Sequence, residues 1–329
     1  MKNLYVISGV TGMTGNELCR QLLSQGHTVL VFDNFFATSL DSVKDVIDNP
    51  RFIFKEYDMN NAEQMSDIEQ YVMAHKVEYD DVLYVNCAAV VHTEHFYEIE
   101  HTFQTNVVSM KTFLEQAIRC GASTYINCST SEVYSMQSWN ANGGVREDDY
   151  LLIAHAEHSQ RTSYAVGKLL TEFFMKDAVD KGKIKGCSIR FANVYSNHER
   201  FAKHIIPHIF NELLTKDEIV LLENSKTNRR TFLHNIDSCR AVMELMATPS
   251  ALDGTVYNVA TDEEVTIIEL ANMIGEVLGK PNPKIRFEGF RASDPERRIL
   301  NTGKIRTRTN WKPSVTLEQG LKMCAEMYK

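Results

Sequence analysis

Short apolar runs separated by stretches of helical periodicity set the pattern of the first half of the chain. LYVIS (Leu4 to Ser8) and HTVLVF, ending at Asp33, read as strands. Between them Leu18, Leu22 and Leu23 recur at helical spacing over Asn16 to Ser24, with Gly26 as a stop. The alternation continues through RFIFKEYD, a helix near Ala62 to His75, DVLYVNCAA, a helix near Thr102 to Arg119, STYINCSTS and GKIKGCSIRFANVY. Strands separated by helical patterns predict an α/β fold, a doubly wound parallel sheet with helices on both faces. Beyond it EIVLLE, TFLHNIDSCRAVMELM, TVYNVA, TIIELANMIGEVLG and LEQGLKMCAEMYK are shorter and mixed, which predicts a smaller α/β lobe. We expect residues 1–190, completed by segments around 230–275, to form the larger domain, and residues 191–329 to form mainly the smaller lobe, partly from 195–250 and 280–310. No internal repeat or low-complexity linker separates them, so a cleft between packed lobes is expected.

GVTGMTG (Gly9 to Gly15) stands between the first strand and the first helix. Glycine-rich turns are common, and alone the pattern is weak. In this setting the turn aims free backbone N–H groups and the positive end of a helix dipole at one point, where an anion fits. The next strand ends at Asp33, where a dinucleotide-binding unit places the acid that accepts hydrogen bonds from the adenosine ribose. A carboxylate there repels the extra phosphate of NADP, and no Arg follows it in DNFFATS, which favours NAD.

Composition narrows the partners. The chain has 329 residues, 43% hydrophobic and 24% charged, with a net charge of −8, and a pI near 5.8. Nucleic acid and anionic membranes want a basic face, so neither is expected as a partner. No apolar run approaches a membrane span and no signal segment opens the chain, so a cytoplasmic location is expected. Seven cysteines, Cys19, Cys87, Cys120, Cys128, Cys187, Cys239 and Cys324, lie far apart without a CxxC pair, as buried thiols in a reducing compartment do. Histidines gather as His92, His95 and His101, then His155 and His158, then His198, His204 and His208. Only His204 and His208 could share a helix face, Pro207 sits between them, and no metal site is expected.

Ligands of doubly wound sheets bind at the carboxyl ends of the strands. CAAVVH (Cys87 to His92) follows one strand, its small residues letting a cofactor lie near the backbone; Thr130, Ser131 and Glu132 follow another. In SYAVGKLL, Tyr164 and Lys168 stand four apart on one helix face. A phenol of pKa about 10 is a poor base at neutral pH, but a neighbouring ammonium and a positive nicotinamide ring favour its phenolate. Such a tyrosinate can take a proton from a sugar hydroxyl while hydride leaves the same carbon for NAD, with Thr130 on the reacting oxygen.

GxxGxxG with Asp33, Asp58 in EYDMNN, NCAA, the hydroxyl cluster before VY, and YxxxK occur in this order in a chain that resembles the extended short-chain dehydrogenase/reductase family of nucleotide-sugar epimerases and dehydratases. The resemblance extends through Asn106 in TFQTNVVSM, RFANVYS, RRTFLHNID, GTVYNVATDEEVTIIELA and DPERRILNTGKIR. It implies a Rossmann-type sheet binding NAD, with a substrate-binding lobe for a nucleoside-diphosphate sugar. The implied NAD contacts are Gly9, Thr11, Gly12, Met13, Thr14, Gly15, Asp33, Asn34, Asp58, Met59, Cys87, Ala88, Ala89, Asn106, Tyr164 and Lys168. The implied catalytic set is Thr130, Ser131, Glu132, Tyr164 and Lys168, and His92, Thr130, Asn193, Arg230 and Arg298 would bind substrate. Of these Asn193 and the two arginines are implied on the pyrophosphate, which suits bidentate guanidinium donors. A homodimer through the Tyr164 helix and the Thr102 to Arg119 helix is also implied.

The leading reading of the reaction is a 4,6-dehydratase. Oxidation at sugar C4 acidifies the C5 proton, Glu132 removes it and helps expel water from C6, and the hydride returns. STSEVY and DNFFATS are similar to UDP-glucuronate decarboxylases too, a reaction needing a cation for the sugar carboxylate and no base at C5. A 4-epimerase and a C4 dehydrogenase share the first step. A non-catalytic, NAD-loaded scaffold is the reading of another class, and the presence of Tyr164, Lys168 and Thr130 speaks against it. Ser196 and Ser135 stand where the family has Gly, which points to an unusual sugar.

Overall fold

The computed structural model describes residues 2–134, 143–155, 161–199, 201–216, 218–291, 294 and 296–328, without the side chains of Thr93 and Arg161. Ser135 and His158 lie outside the described residues. The large sheet is built from β1 (Leu4–Ser8), β2 (Thr28–Asp33), β3 (Phe52–Glu56), β4 (Val82–Asn86), β5 (Thr124–Thr130) and β6 (Lys185–Phe191), joined by TVYNVA as part of a later strand. That later strand is β11 (Asp253–Val259), at the edge of the order β11-β6-β5-β4-β1-β2-β3, with all neighbours parallel. This is a Rossmann-type, doubly wound sheet.

Uninterrupted apolar strands require cover on both faces, because successive side chains point to opposite sides. Leu4 and Val6 join Phe32, Tyr84, Phe113 and Met175 in one core. Tyr5 and Ile7 join Leu18, Leu22, Val242 and Trp311 in the other. Helices α1 (Met13–Ser24), α2 (Ala62–His75), α3 (Ile99–Phe103), α4 (Met110–Cys120) and α5 (Arg161–Asp180) supply much of that cover. The helix expected from Thr102 is continuous from Ile99 to Cys120 and contains one π-helical stretch, Gln104–Ser109, between α3 and α4.

The remaining elements are β7 (Val194–Tyr195), α6 (Ile205–Thr215), β8 (Glu218–Leu221), β9 (Arg229–Thr231), β10 (Leu233–His234), α7 (Asn235–Met246), β12 (Glu264–Thr266), α8 (Ile267–Val277), β13 (Lys284–Phe287), β14 (Arg297–Arg298), α9 (Gly303–Arg308) and α10 (Leu317–Glu326). Helix α7 returns to α1, where Asn235 Nδ2 donates to the Met13 carbonyl at 3.0 Å and Gln21 Nε2 to the Ile236 carbonyl at 3.1 Å. The small strands form the sheets β12-β9-β14, β10-β7 and β13-β8. A third core, including Ile209, Phe210, Leu270 and Leu321, lies among α6, α8 and α10.

A buried ion pair binds α5 to the middle of the large sheet. Arg190 on β6 donates from Nη2 to Glu172 Oε2 at 2.7 Å and from Nε to Oε1 at 3.0 Å, both side chains 5% exposed. Ser129 on β5 donates to the same carboxylate at 2.6 Å. Arg190 Nη1 also donates to the Tyr134 hydroxyl, which donates to Asn258 Oδ1 on β11. Removing one partner of such a pair strands the other charge in the interior. Glu172→Ala should therefore cost about 3–5 kcal/mol in denaturant unfolding, whereas a loss below about 1 kcal/mol would put this pair in the class of exposed ones.

Candidate functional site

The glycine turn is shaped by contacts that leave no room for side chains. Gly9 has φ of 71° and lies against the backbone of Ala88, where a Cβ would come within 2.6 Å of the Ala88 nitrogen. A Cβ on Gly15 would meet the Gly9 carbonyl oxygen at 2.2 Å, so α1 starts close against the strand end. Its first residue is Met13, earlier than the expected Asn16, because Gly12 takes the extended cap position. Asp33 braces the turn, its Oδ2 accepting the Thr11 N–H at 3.0 Å and its Oδ1 the Phe35 N–H at 2.9 Å.

In front of this turn lies a cavity of about 1090 Å³. Gly9, Thr11, Gly12, Met13, Thr14, Gly15, Asp33, Asn34, Asp58, Met59, Cys87, Ala88, Ala89 and His92 all line it. Asn34 donates to Asp58 at 3.1 Å, closing the far wall. The volume, the glycine cradle at a helix N-terminus and the acid beyond β2 fit NAD. A buried ammonium stands at the end of β5 as well, Lys168 being 2% exposed.

Asn106 lies in the π-helical stretch rather than on the cavity wall, with Oδ1 accepting the Val90 N–H at 2.7 Å and Nδ2 donating to the Val90 carbonyl at 3.0 Å. It shapes the loop after β4. Phe36, His101, Thr105, Glu199, Phe201 and His204 also line the cavity, and sequence reading assigned none of them. Phe36 crosses to His95 and His101, with ring centroids 4.8 and 5.0 Å apart. Phe201 stacks on His92 at 3.7 Å, and Lys203 pairs with Glu94, so the segment after Ser196 closes over the loop after β4. Burial, followed by the charges of His204 and His95, pulls the His92 imidazole down to about 4 and keeps it neutral. The Ser196 hydroxyl accepts the His198 N–H at 3.2 Å and shapes this segment. Clustering of histidines is a usable sequence signal, but spacing weighed only for metal ligation misses it. Among the described residues no group of three or more His, Cys, Asp or Glu is placed to hold a metal ion.

The catalytic candidates gather at the end of β5, and none of them, Tyr164 and Lys168 as expected cofactor contacts included, is among the residues lining the cavity. Tyr164 is buried and stacks on Phe96 at 4.6 Å. Burial pushes its phenol well up; the nearby Thr130 side chain opposes this, and the Glu132 charge adds to it. Burial pulls the Lys168 ammonium down, against the Cys128 and Cys87 thiols and Glu172. Ser131 is buried, and the Thr130 hydroxyl accepts the Glu132 N–H at 3.2 Å. The Glu132 carboxylate accepts from Arg298 Nη1 in an ion pair whose arginine is 5% exposed.

That pair unites two residues to which the sequence assigned separate tasks. In register, Arg298 on β14 pairs with Arg230 on β9. Arg230 donates from Nη2 to Asp294 at 3.0 Å and from Nη1 to the Arg229 and Glu296 carbonyls. Its guanidinium is thus already held by the protein. Asn193 has φ of 42° and donates to the Thr231 carbonyl at 2.9 Å, tying the turn after β6 to β9.

Residues 5–260 match the family model described as the NAD dependent epimerase/dehydratase family. The chain is 26% identical over 321 residues to UDP-glucuronic acid decarboxylase 1 of Arabidopsis thaliana, covering 96% of this chain and 67% of the relative. Its fold is similar to that of DesIV, a dTDP-glucose 4,6-dehydratase from Streptomyces venezuelae solved with NAD and TYD bound, with TM-score 0.83, 22% identity and coverage of 99% and 96% of the two chains. The UDP-glucuronic acid 4-epimerase of Bacillus cereus, in complex with UDP-glucuronic acid and NAD, matches with TM-score 0.83, 22% identity and coverage of 99% and 98%. With the family match spanning most of its length, the chain belongs to the NAD dependent epimerase/dehydratase family.

Proposed function

We propose that the protein is an NAD-dependent decarboxylase of a nucleotide-linked uronic acid sugar. The observation that carries this reading is the Arg298 guanidinium held on Glu132, next to the Tyr164–Thr130 pair. Decarboxylation asks for a cation at the sugar carboxylate, and Arg298 is a cation at the candidate catalytic cluster rather than out toward a diphosphate. The likeness to a UDP-glucuronic acid decarboxylase supports the same substrate class.

Tyr164, with Thr130 orienting its oxygen, takes the proton of the C4 hydroxyl. NAD, when bound, supplies the acceptor for the C4 hydride and the means of its return. A ketone at C4 makes the C5 carboxylate a β-keto acid, whose C5–C6 bond breaks with its electrons delocalised into the carbonyl. Arg298 exchanges Glu132 for that carboxylate and holds the breaking bond in place. Carbon dioxide leaves, C5 takes up a proton, and Tyr164 returns its proton to the oxygen as the ketone is reduced. Lys168, one turn from Tyr164 on the same face of α5, orients the ribose.

The 4,6-dehydratase reading retains support from the same pair, because the Glu132 carboxylate, the group that would remove a C5 proton, lies in this cluster. Product mass separates the readings. With UDP-glucuronate the expected product has lost carbon dioxide; loss of water from a neutral UDP- or dTDP-hexose would instead establish dehydration, unchanged mass epimerisation, and accumulating NADH a dehydrogenase.

Arg298→Met should lower kcat/KM on the uronate by about 100-fold or more, since it strands Glu132 and removes the carboxylate's partner. Retained decarboxylation in that variant would overturn the assignment. Tyr164→Phe should lower kcat by about 10²–10⁴-fold while NAD still binds, as read by fluorescence titration.

The dimer expected from the resemblance has a candidate seam on α5, where Val166, Leu170 and Phe173 follow helical spacing and are 44%, 37% and 64% exposed, with Phe103 on α3 exposed at 51%. Sedimentation should give a dimer, and Phe173→Glu should shift it toward monomer.

A further inference from the structure

Cys87 and Cys128 occupy equivalent places on neighbouring parallel strands. Asn86 pairs with Asn127 in the β4–β5 register, so the next residues, Cys87 and Cys128, lie side by side with side chains on one face. Their sulfurs are 3.9 Å apart. Strands about 4.8 Å apart bring paired Cα atoms within the separation of about 4.4–6.8 Å that a disulfide spans. Access is selective as well: six of the seven thiols are buried, and Cys87, the exception, lines the cofactor cavity.

We infer that Cys87 and Cys128 form a peroxide-sensitive dithiol in the floor of the cofactor cavity, closing to a disulfide when the cavity is empty. The Cys87 sulfur, as thiolate, attacks a peroxide oxygen; the O–O bond breaks, hydroxide leaves and a sulfenic acid forms. The Cys128 sulfur then attacks Cys87, the S–O bond breaks, and the Cys128 proton and the sulfenic oxygen leave in water. In sum two thiols and one hydrogen peroxide give one disulfide and two waters. The roles follow access: Cys87 lines the cavity and meets peroxide first, while Cys128, buried beside it with the two sulfurs 3.9 Å apart, resolves the sulfenic acid. The bond would tie the Cys87–Ala89 turn, against which Gly9 lies, to the strand that carries Thr130.

The test is a non-reducing peptide map of the whole protein after hydrogen peroxide, with and without NAD. The expected result is one Cys87–Cys128 linked peptide, five remaining thiols, reversal by dithiothreitol, and linkage about 100-fold slower at NAD one hundred times its Kd. In Cys128→Ser, checked for folding by circular dichroism, dimedone should label Cys87. Seven intact thiols after peroxide, linkage through any other cysteine, or a rate indifferent to NAD would overturn the inference; the wild-type map needs no variant to decide it.

Discussion

The bidentate Arg190–Glu172 pair is the constraint on which the geometry of the candidate site depends. Tyr164, Lys168 and Glu172 recur every four residues along one face of α5, so the carboxylate that anchors the helix lies one turn beyond the ammonium and two beyond the phenol. A charge taken out of water must keep its partner, and this one is shared with Ser129, next to Thr130 on β5. Helix and strand are therefore fixed to each other within the reach of a hydrogen bond, and the Tyr164–Thr130 contact inherits that precision. The same network passes through Tyr134 to Asn258, tying in the edge strand.

A second polar feature runs across the sheet. Ser8, Asn86, Asn127 and Ser188 stand at matching register positions on β1, β4, β5 and β6. Ser8 donates to Asn86 and accepts the Ala88 N–H, while Asn127 donates to Ser188 and to Thr171 on α5. Buried polar groups of this kind are worth having only when partnered. Here they form two groups, Ser8 with Asn86 and the Ala88 turn, and Asn127 with Ser188 and α5, while Asn86 Nδ2 and Asn127 Oδ1 stay buried without a partner among the described residues.

Much of this was legible because it is local. The strands of the first half are unbroken apolar runs, the glycine turn follows one of them directly, and Tyr164 and Lys168 share a face by spacing alone. Asp33, Thr130 and Glu132 are strand-end residues, and topology brings strand ends together. What could not be read depends on distant pairings. Arg298 meets Glu132 only because a two-residue strand joins β9 in parallel register, and nothing near either residue announces it. Arg230 is held by Asp294 for the same reason. Phe201 reaches His92 through the path of an irregular segment, and the register of β4 with β5, which pairs the two cysteines, leaves no mark in their spacing.

The Glu132–Arg298 bond joins two bodies of the fold, since Glu132 follows β5 of the large sheet and Arg298 belongs to the small sheet β12-β9-β14. The two bodies are thus latched by a pair of opposite charges. Were the proposed uronate to bind at Arg298, it would trade places with one carboxylate, and the desolvation of the guanidinium would already have been met. A neutral sugar would either leave the latch shut or break it without recompense. Selection by charge would then be an exchange equilibrium within the protein, with discrimination coming from what a ligand displaces as much as from what it touches.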